Sequence, residues 1–147
     1  MKKLFVMSML IALVTCSTTV HAQTLTDGYY TFIIPDEYEE GIVGDFYSTD
    51  TGNILFNTME STNIDTEDEY KRYLELMGNS FATNSYSYTI AYGTKNGIHY
   101  FKYHGFEDTD MLDVLIVAID GHGLTIYGTN AADAVNSAYE SITVSAE

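Results

Sequence analysis

Leu112–Gly128 reads LDVLIVAIDGHGLTIYG. Leu112, Val114, Leu115, Ile116, Val117, Ala118 and Ile119 form an almost unbroken apolar run with no polar face to give to water. Such a strand has to be covered on both sides, which places it at the centre of a sheet. Asp120-Gly121 is a tight-turn pair, and Leu124–Tyr127 then returns as a second strand.

Downstream, Asn130 is placed to cap a helix running to about Ile142, with Ala131, Val135, Ala138 and Ile142 on one side. Upstream, Tyr86–Tyr92 and Ile98–His104 make a hairpin around Gly93–Gly97, where Asn96-Gly97 supplies positive φ. An acidic loop, Gly105–Asp110, joins that hairpin to the central strand. Before it lies the clearest helix. Thr66 and Glu69 form a capping box, and Glu67 and Asp68 complement the positive end of the helix dipole. Tyr70, Tyr73, Leu74, Met77 and Phe81 follow as one apolar stripe, and Asn79 to Asn84 releases the chain. Nearer the start, Tyr29–Ile34 is a strand ended by Pro35, and Asp36–Glu40 is an acidic loop around one aromatic. Gly44–Thr49 and Asn53–Glu60 pair through Asp50-Thr51-Gly52.

Met1–Ala22 stands apart. Lys2 and Lys3, the apolar Leu4–Val14 and the small residues up to Val20-His21-Ala22 read as a secretory leader cut after Ala22. The apolar part is too short for a membrane span, which needs about 20 residues. A lipoprotein box ending at Cys16 is the rival reading, and Thr15 before the Cys fits it poorly. Gln23–Glu147 remains as a single domain destined for the periplasm or the exterior. Cys16 is the single cysteine, so the exported domain has no disulfide. Without Lys2 and Lys3, four basic residues face 21 acidic ones, a net charge of −17. That field repels nucleic acid and anionic lipid and favours a cationic protein partner or cations.

The order β-β-β, α, β-β-β-β, α with short turns predicts an α+β fold. It is an antiparallel sheet of about six or seven strands with helices packed on its faces, an α/β/α sandwich. In this order the chain resembles the PsbP-like proteins. The resemblance rests on Phe32-Ile33-Ile34-Pro35 followed by an aromatic, Tyr38, and on the closing Tyr139-Glu140-Ser141-Ile142. It spans about Asp27 to Thr143. The chain departs from the pattern in having Tyr38 where a Trp is commoner and in a shorter loop after Pro35. The resemblance implies a protein that acts by docking to larger complexes or cargo.

No catalytic or metal constellation emerges. His99 and His104 are five apart on one strand and point to opposite faces, and His122 sits at a turn tip where a solvated ring is expected. There is no Gly-x-Ser-x-Gly elbow. Asp113 and Asp120 lie about 23 Å apart along an extended strand, against the roughly 5–10 Å of a glycosidase pair. Glu107, Asp108, Asp110 and Asp113 offer oxygen ligands for calcium but lack the Asp-x-Asp-x-Asp-Gly spacing, so a charged loop is the plainer reading. Thirteen tyrosines and no tryptophan are present. Tyr86, Tyr88 and Tyr92, joined across the hairpin by Tyr100, form either a stacking platform or the sheet face beneath a helix.

Two functions follow. One is a non-enzymatic periplasmic assembly factor, chaperone or adaptor, including an acidic inhibitor or immunity protein for a basic partner. The other is a calcium- or carbohydrate-binding module with weak hydrolase activity. The residues expected to meet a partner are Tyr38, Glu39, Glu40, Asp108, Asp110 and His122, with no cofactor, nucleic acid or membrane span involved.

Overall fold

The computed structural model describes residues 21–60, 66–82 and 87–145. The leader residues 1–20 with Cys16, Asn84, Tyr86 and the Phe81 side chain lie outside the described residues. The described elements are β1 (Ala22–Thr26), β2 (Tyr30–Pro35), β3 (Glu39–Glu40), β4 (Phe46–Ser48), β5 (Asn53–Glu60), α1 (Glu67–Ala82), β6 (Tyr88–Lys95), β7 (Ile98–Glu107), β8 (Asp110–Ile119), β9 (His122–Thr129), α2 (Ala132–Ser141) and β10 (Thr143–Val144).

β8 is shielded on both sides. Val114 and Ile116 pack under Leu74 of α1 with Phe101 and Tyr103. Leu115 and Val117 point the other way, into a core shared with Val135, Ala138 and Phe32. Each such side chain contributes roughly 1.5–3 kcal/mol by leaving water. The sheet is antiparallel and seven-stranded, in the order β3-β4-β5-β9-β8-β7-β6, so β9 rather than β8 holds the middle.

The opening strand does not join that sheet. β2 pairs with β1 on one side and β10 on the other, in a separate three-stranded sheet that shares the second layer with α2. β1 (AQTLT) carries one large apolar residue, and β10 is two residues long, so neither shows the alternation that marks a strand. The two segments that carry the family resemblance touch here. Ile33 N–H donates to Ser141 Oγ at 2.8 Å, and Ser141 Oγ–H donates to the Ser137 carbonyl.

Local signals set the remaining boundaries. At α1, Glu69 N–H donates to Thr66 Oγ1 while Thr66 N–H donates to Glu69 Oε2, the reciprocal capping box. Asn96-Gly97 and Asp120-Gly121 are all at positive φ, so both hairpins close in two residues. The β7–β8 loop is tighter than its composition suggests. β7 runs to Glu107 and β8 starts at Asp110, with Asp108 at φ 55°. Asn130 does not cap α2. Its N–H donates to the Met111 carbonyl, its Oδ1 accepts from Met111 N–H, and its Nδ2 donates to Asp110, leaving Ala131 as a helix start with no side-chain cap.

Candidate functional site

The two faces of the large sheet are covered unequally. A helix is about 10 Å across and strands are about 4.8 Å apart, so one helix shields roughly two strands. On its face, α1 lies over β7 and β8. The register then continues outward from Val114 through Tyr127 and Leu55 to Phe46, one row across β8, β9, β5 and β4. Leu55 is 41% exposed and Val43 68%. Together with Phe46, Leu112, Tyr127 and Asp45 they line a shallow groove of about 650 Å³. The opposite face of the same strands is closed, with Tyr47, Ile54 and Phe56 buried against Phe32.

Four of the carboxylates singled out in the sequence gather at one end of this groove. Glu39, Ser48, Asn53, Thr129 and Leu112 share one register row, so β3 and the β7–β8 turn lie at the same end of the sheet. Glu39, Glu40, Asp108 and Asp110 are all exposed there. Glu37 and Asp50 line a recess of about 480 Å³ beside Glu39.

Tyr38 is not among these surface groups. Its ring is buried, its hydroxyl donates to Asp133 Oδ1 at 2.6 Å, and burial together with that carboxylate pushes its ionisation well above the ordinary tyrosine range. The apolar ring outweighs its acidic neighbours, and Tyr38 fastens its loop to α2. His122 is also displaced from its expected place. The turn consists of Asp120 and Gly121, so His122 already belongs to β9, at the end opposite Thr129. Its ring stacks on Tyr29 with centroids 3.8 Å apart, and its carbonyl accepts the Tyr30 hydroxyl at 2.6 Å.

His99 and His104 do point to opposite faces. His99 Nε2 lies 3.2 Å from Glu67 of α1. His104 Nδ1 lies 2.8 Å from Asp113 Oδ1. Asp113 is thereby drawn from the acidic turn to the α2 side, where its Oδ2 is buried and meets no hydrogen-bond partner among the described residues. Among the described residues no three His, Cys, Asp or Glu side chains converge for a metal. The carboxylates nominated for calcium are held apart, Asp113 by His104 and Asp110 by Asn130.

The tyrosine face also divides. Tyr88 and Tyr92 lie on the α1 side, stacked on Tyr103 and edge-on to Phe101. Tyr100 pairs with Gly93 and faces α2, where it meets Tyr139. The hydrogen bond that the Tyr139 hydroxyl donates to Tyr100, together with burial, pushes its ionisation up to about 12. Period-two spacing assigned Tyr88 and Tyr92 correctly, but the pairing register, which sequence spacing does not reveal, sent Tyr100 to the other side. The row Phe46, Leu55, Tyr127 was missed for the same reason, since its members come from three strands.

A seven-stranded antiparallel sheet with helices on its faces and the β2–α2 clasp defines an α+β sandwich of the PsbP-like fold. Among solved structures it is similar to cyanobacterial PsbP (CyanoP) from Synechocystis sp. PCC 6803, determined in solution. The TM-score is 0.52 at 13% identity, covering 90% of this chain and 99% of that one. No protein-family model matches the sequence, and no curated protein matches it. Among the described residues no helix is long and apolar enough to cross a membrane.

Proposed function

We propose that the protein is a non-enzymatic accessory factor, exported by its leader, that docks a basic protein partner on the bare half of the large sheet. The observation that carries this reading is the apolar row in which exposed Leu55 lies between half-buried Phe46 and Tyr127 beside exposed Val43, with Glu39, Glu40, Asp108 and Asp110 at its end. An apolar floor supplies affinity, and carboxylates at its margin select Lys- and Arg-bearing surfaces. The domain's net charge of −17 steers such a partner from a distance, with an on-rate that falls as salt rises. The likeness in fold to PsbP agrees with a role in docking.

The test compares the exported domain with its Leu55→Asp variant as bait for envelope extract of the producing cells. The domain is expected to retain a basic protein at low salt and release it at high salt, while Leu55→Asp retains none. Equal retention by the two would remove the groove from the reading. Retention of acidic or neutral proteins alone, indifferent to salt, would remove the basic partner.

A further inference from the structure

β6 is the longest edge strand among the described residues, and it lacks the features by which proteins keep edges from pairing. It hydrogen-bonds β7 from Tyr88 opposite Gly105 to Lys95 opposite Ile98, and among the described residues nothing pairs with its other side. Six of its eight residues are exposed. It contains no proline, no carboxylate and one charged residue, Lys95. That charge is turned away, because Lys95 Nζ donates to the carbonyls of Tyr139 and Glu140 and to the Glu140 carboxylate at about 3 Å. Elsewhere edges are blunted by shortness or charge, as in β3 with its two glutamates.

The flank of β6 is shaped for side chains. Tyr88 and Tyr92, each 48% exposed, stand on either side of Ile90 on the α1 side, two residues apart in step with an added strand. Glu75 of α1 lies close enough to Tyr92 to act on it electrostatically. Glu67 lines a neighbouring recess of about 200 Å³ with Lys71, Tyr92 and Thr94, but His99 already meets its carboxylate there at 3.2 Å. Glu75 is therefore the carboxylate left to select a cation. Pairing of two copies through β6 would set both acidic α1 rims against each other in chains of like charge, so a basic segment fits where a second copy does not.

We infer that β6 is a strand-addition site for an extended segment of a partner protein that carries Lys or Arg at every second residue, on the α1 side beside the Tyr88 and Tyr92 rings and Glu75, with apolar or aromatic residues between on the other side. Main-chain hydrogen bonds along β6 would supply affinity, and Tyr88, Tyr92 and Glu75 the selection. This surface is separate from the groove at Leu55, so either can fail without the other.

The probe is the peptide Lys-Val-Arg-Tyr-Lys-Val-Arg-Tyr, blocked at both ends, with a control of the same sequence N-methylated at alternate amides. Amide hydrogen exchange of the whole exported domain is followed by NMR. Saturating peptide is expected to slow the outward amides of β6 by at least ~10-fold, and the N-methylated peptide is expected to leave them unchanged. Tyr92→Ala and Glu75→Gln are each expected to weaken binding severalfold, and Leu55→Asp not at all. Unprotected β6 amides, or equal binding of the N-methylated control, would overturn the inference. So would β6 amides protected without peptide in a concentration-dependent dimer, which would assign the edge to a second copy.

Discussion

At one end of the large sheet β3 is two residues long, both glutamates, while at the other β6 runs for eight residues without a carboxylate. The faces follow the reverse pattern. Near β6 the α1-side face is covered by the helix, and near β3 and β4 that same face is open over Leu55 and Phe46. One helix is too narrow for seven strands, so among the described residues each half of the sheet keeps one kind of surface available, an open face at the acidic end and an unpaired edge at the other. On the opposite side, α2 and the three-stranded sheet together cover the sheet from β5 to β8, and neither Ile54 nor Val117 sees solvent. The difference between the two halves separates packing from recognition, and point substitutions can probe it.

The largest contrast is between two leucines. Leu74→Ala, beneath α1 in the covered half, is expected to cost about 2–5 kcal/mol by removing buried methyl groups and leaving a cavity. Leu55→Ala, in the open half, is expected to stay within about 0.5 kcal/mol. Urea denaturation measures both, and similar losses would erase the distinction between the halves.

Next comes the fit of α1 itself. Gly78 lies so close to Phe101 that a Cβ there would overlap the ring, and Phe101 is fully buried and cannot turn aside. Gly78→Ala is expected to lift the helix and cost about 1–3 kcal/mol in spite of alanine's better helix propensity. A gain in melting temperature would show that α1 sits less tightly on β7.

The closed face gives a pH test. Burial, with Tyr29 close by, holds the Tyr30 phenol far above the ordinary tyrosine range, and its hydroxyl donates to His122 across the layer. Because the folded protein keeps that proton longer than the unfolded chain, this stability is complete below the unfolded value of about 10 and is lost as pH rises beyond it. Tyr30→Phe is expected to cost about 1 kcal/mol at neutral pH and to flatten the alkaline loss. Denaturant midpoints taken from neutral pH to above that range decide it, and an unchanged slope would place the alkaline sensitivity elsewhere, with Tyr38 the next residue to substitute.

The smallest effect is expected at the blunted edge. Glu39→Gln with Glu40→Gln should alter stability by no more than about 0.5 kcal/mol. Sedimentation velocity would then ask whether two residues are too short to pair even without charge. Self-association of the double variant would assign the protection to the carboxylates rather than to length.

Signals carried within a few neighbouring residues were legible directly. The apolar ribbon Val114–Ala118 announced a strand buried on both sides, Thr66 and Glu69 marked the start of α1, and Asn96-Gly97 and Asp120-Gly121 fixed two turns. Phe32-Ile33-Ile34-Pro35 and Tyr139-Glu140-Ser141-Ile142 pointed to the PsbP-like order, and the structure brings those two segments into contact through Ser141. The candidate surface was legible only in part. The carboxylates of β3 and the β7–β8 turn do share one end of the sheet, but Tyr38 is drawn into the core by its ring and His122 lies at the far end, stacked on Tyr29.

Capping, turn conformation and apolar periodicity are short-range properties, so the sequence by itself determined where the long helix begins, where the chain reverses and which strand would be buried. Which sheet β2 would join, that Asp113 would meet His104, and that Phe46, Leu55 and Tyr127 would align into one row depended on how separate strands pair, from nine positions apart for His104 and Asp113 to 72 for Leu55 and Tyr127. Those pairings are set by competition among all the apolar faces for a limited area of cover. Only the tertiary structure decided that, among the described residues, one helix would leave part of a seven-stranded sheet, and the outer edge of β6, without it.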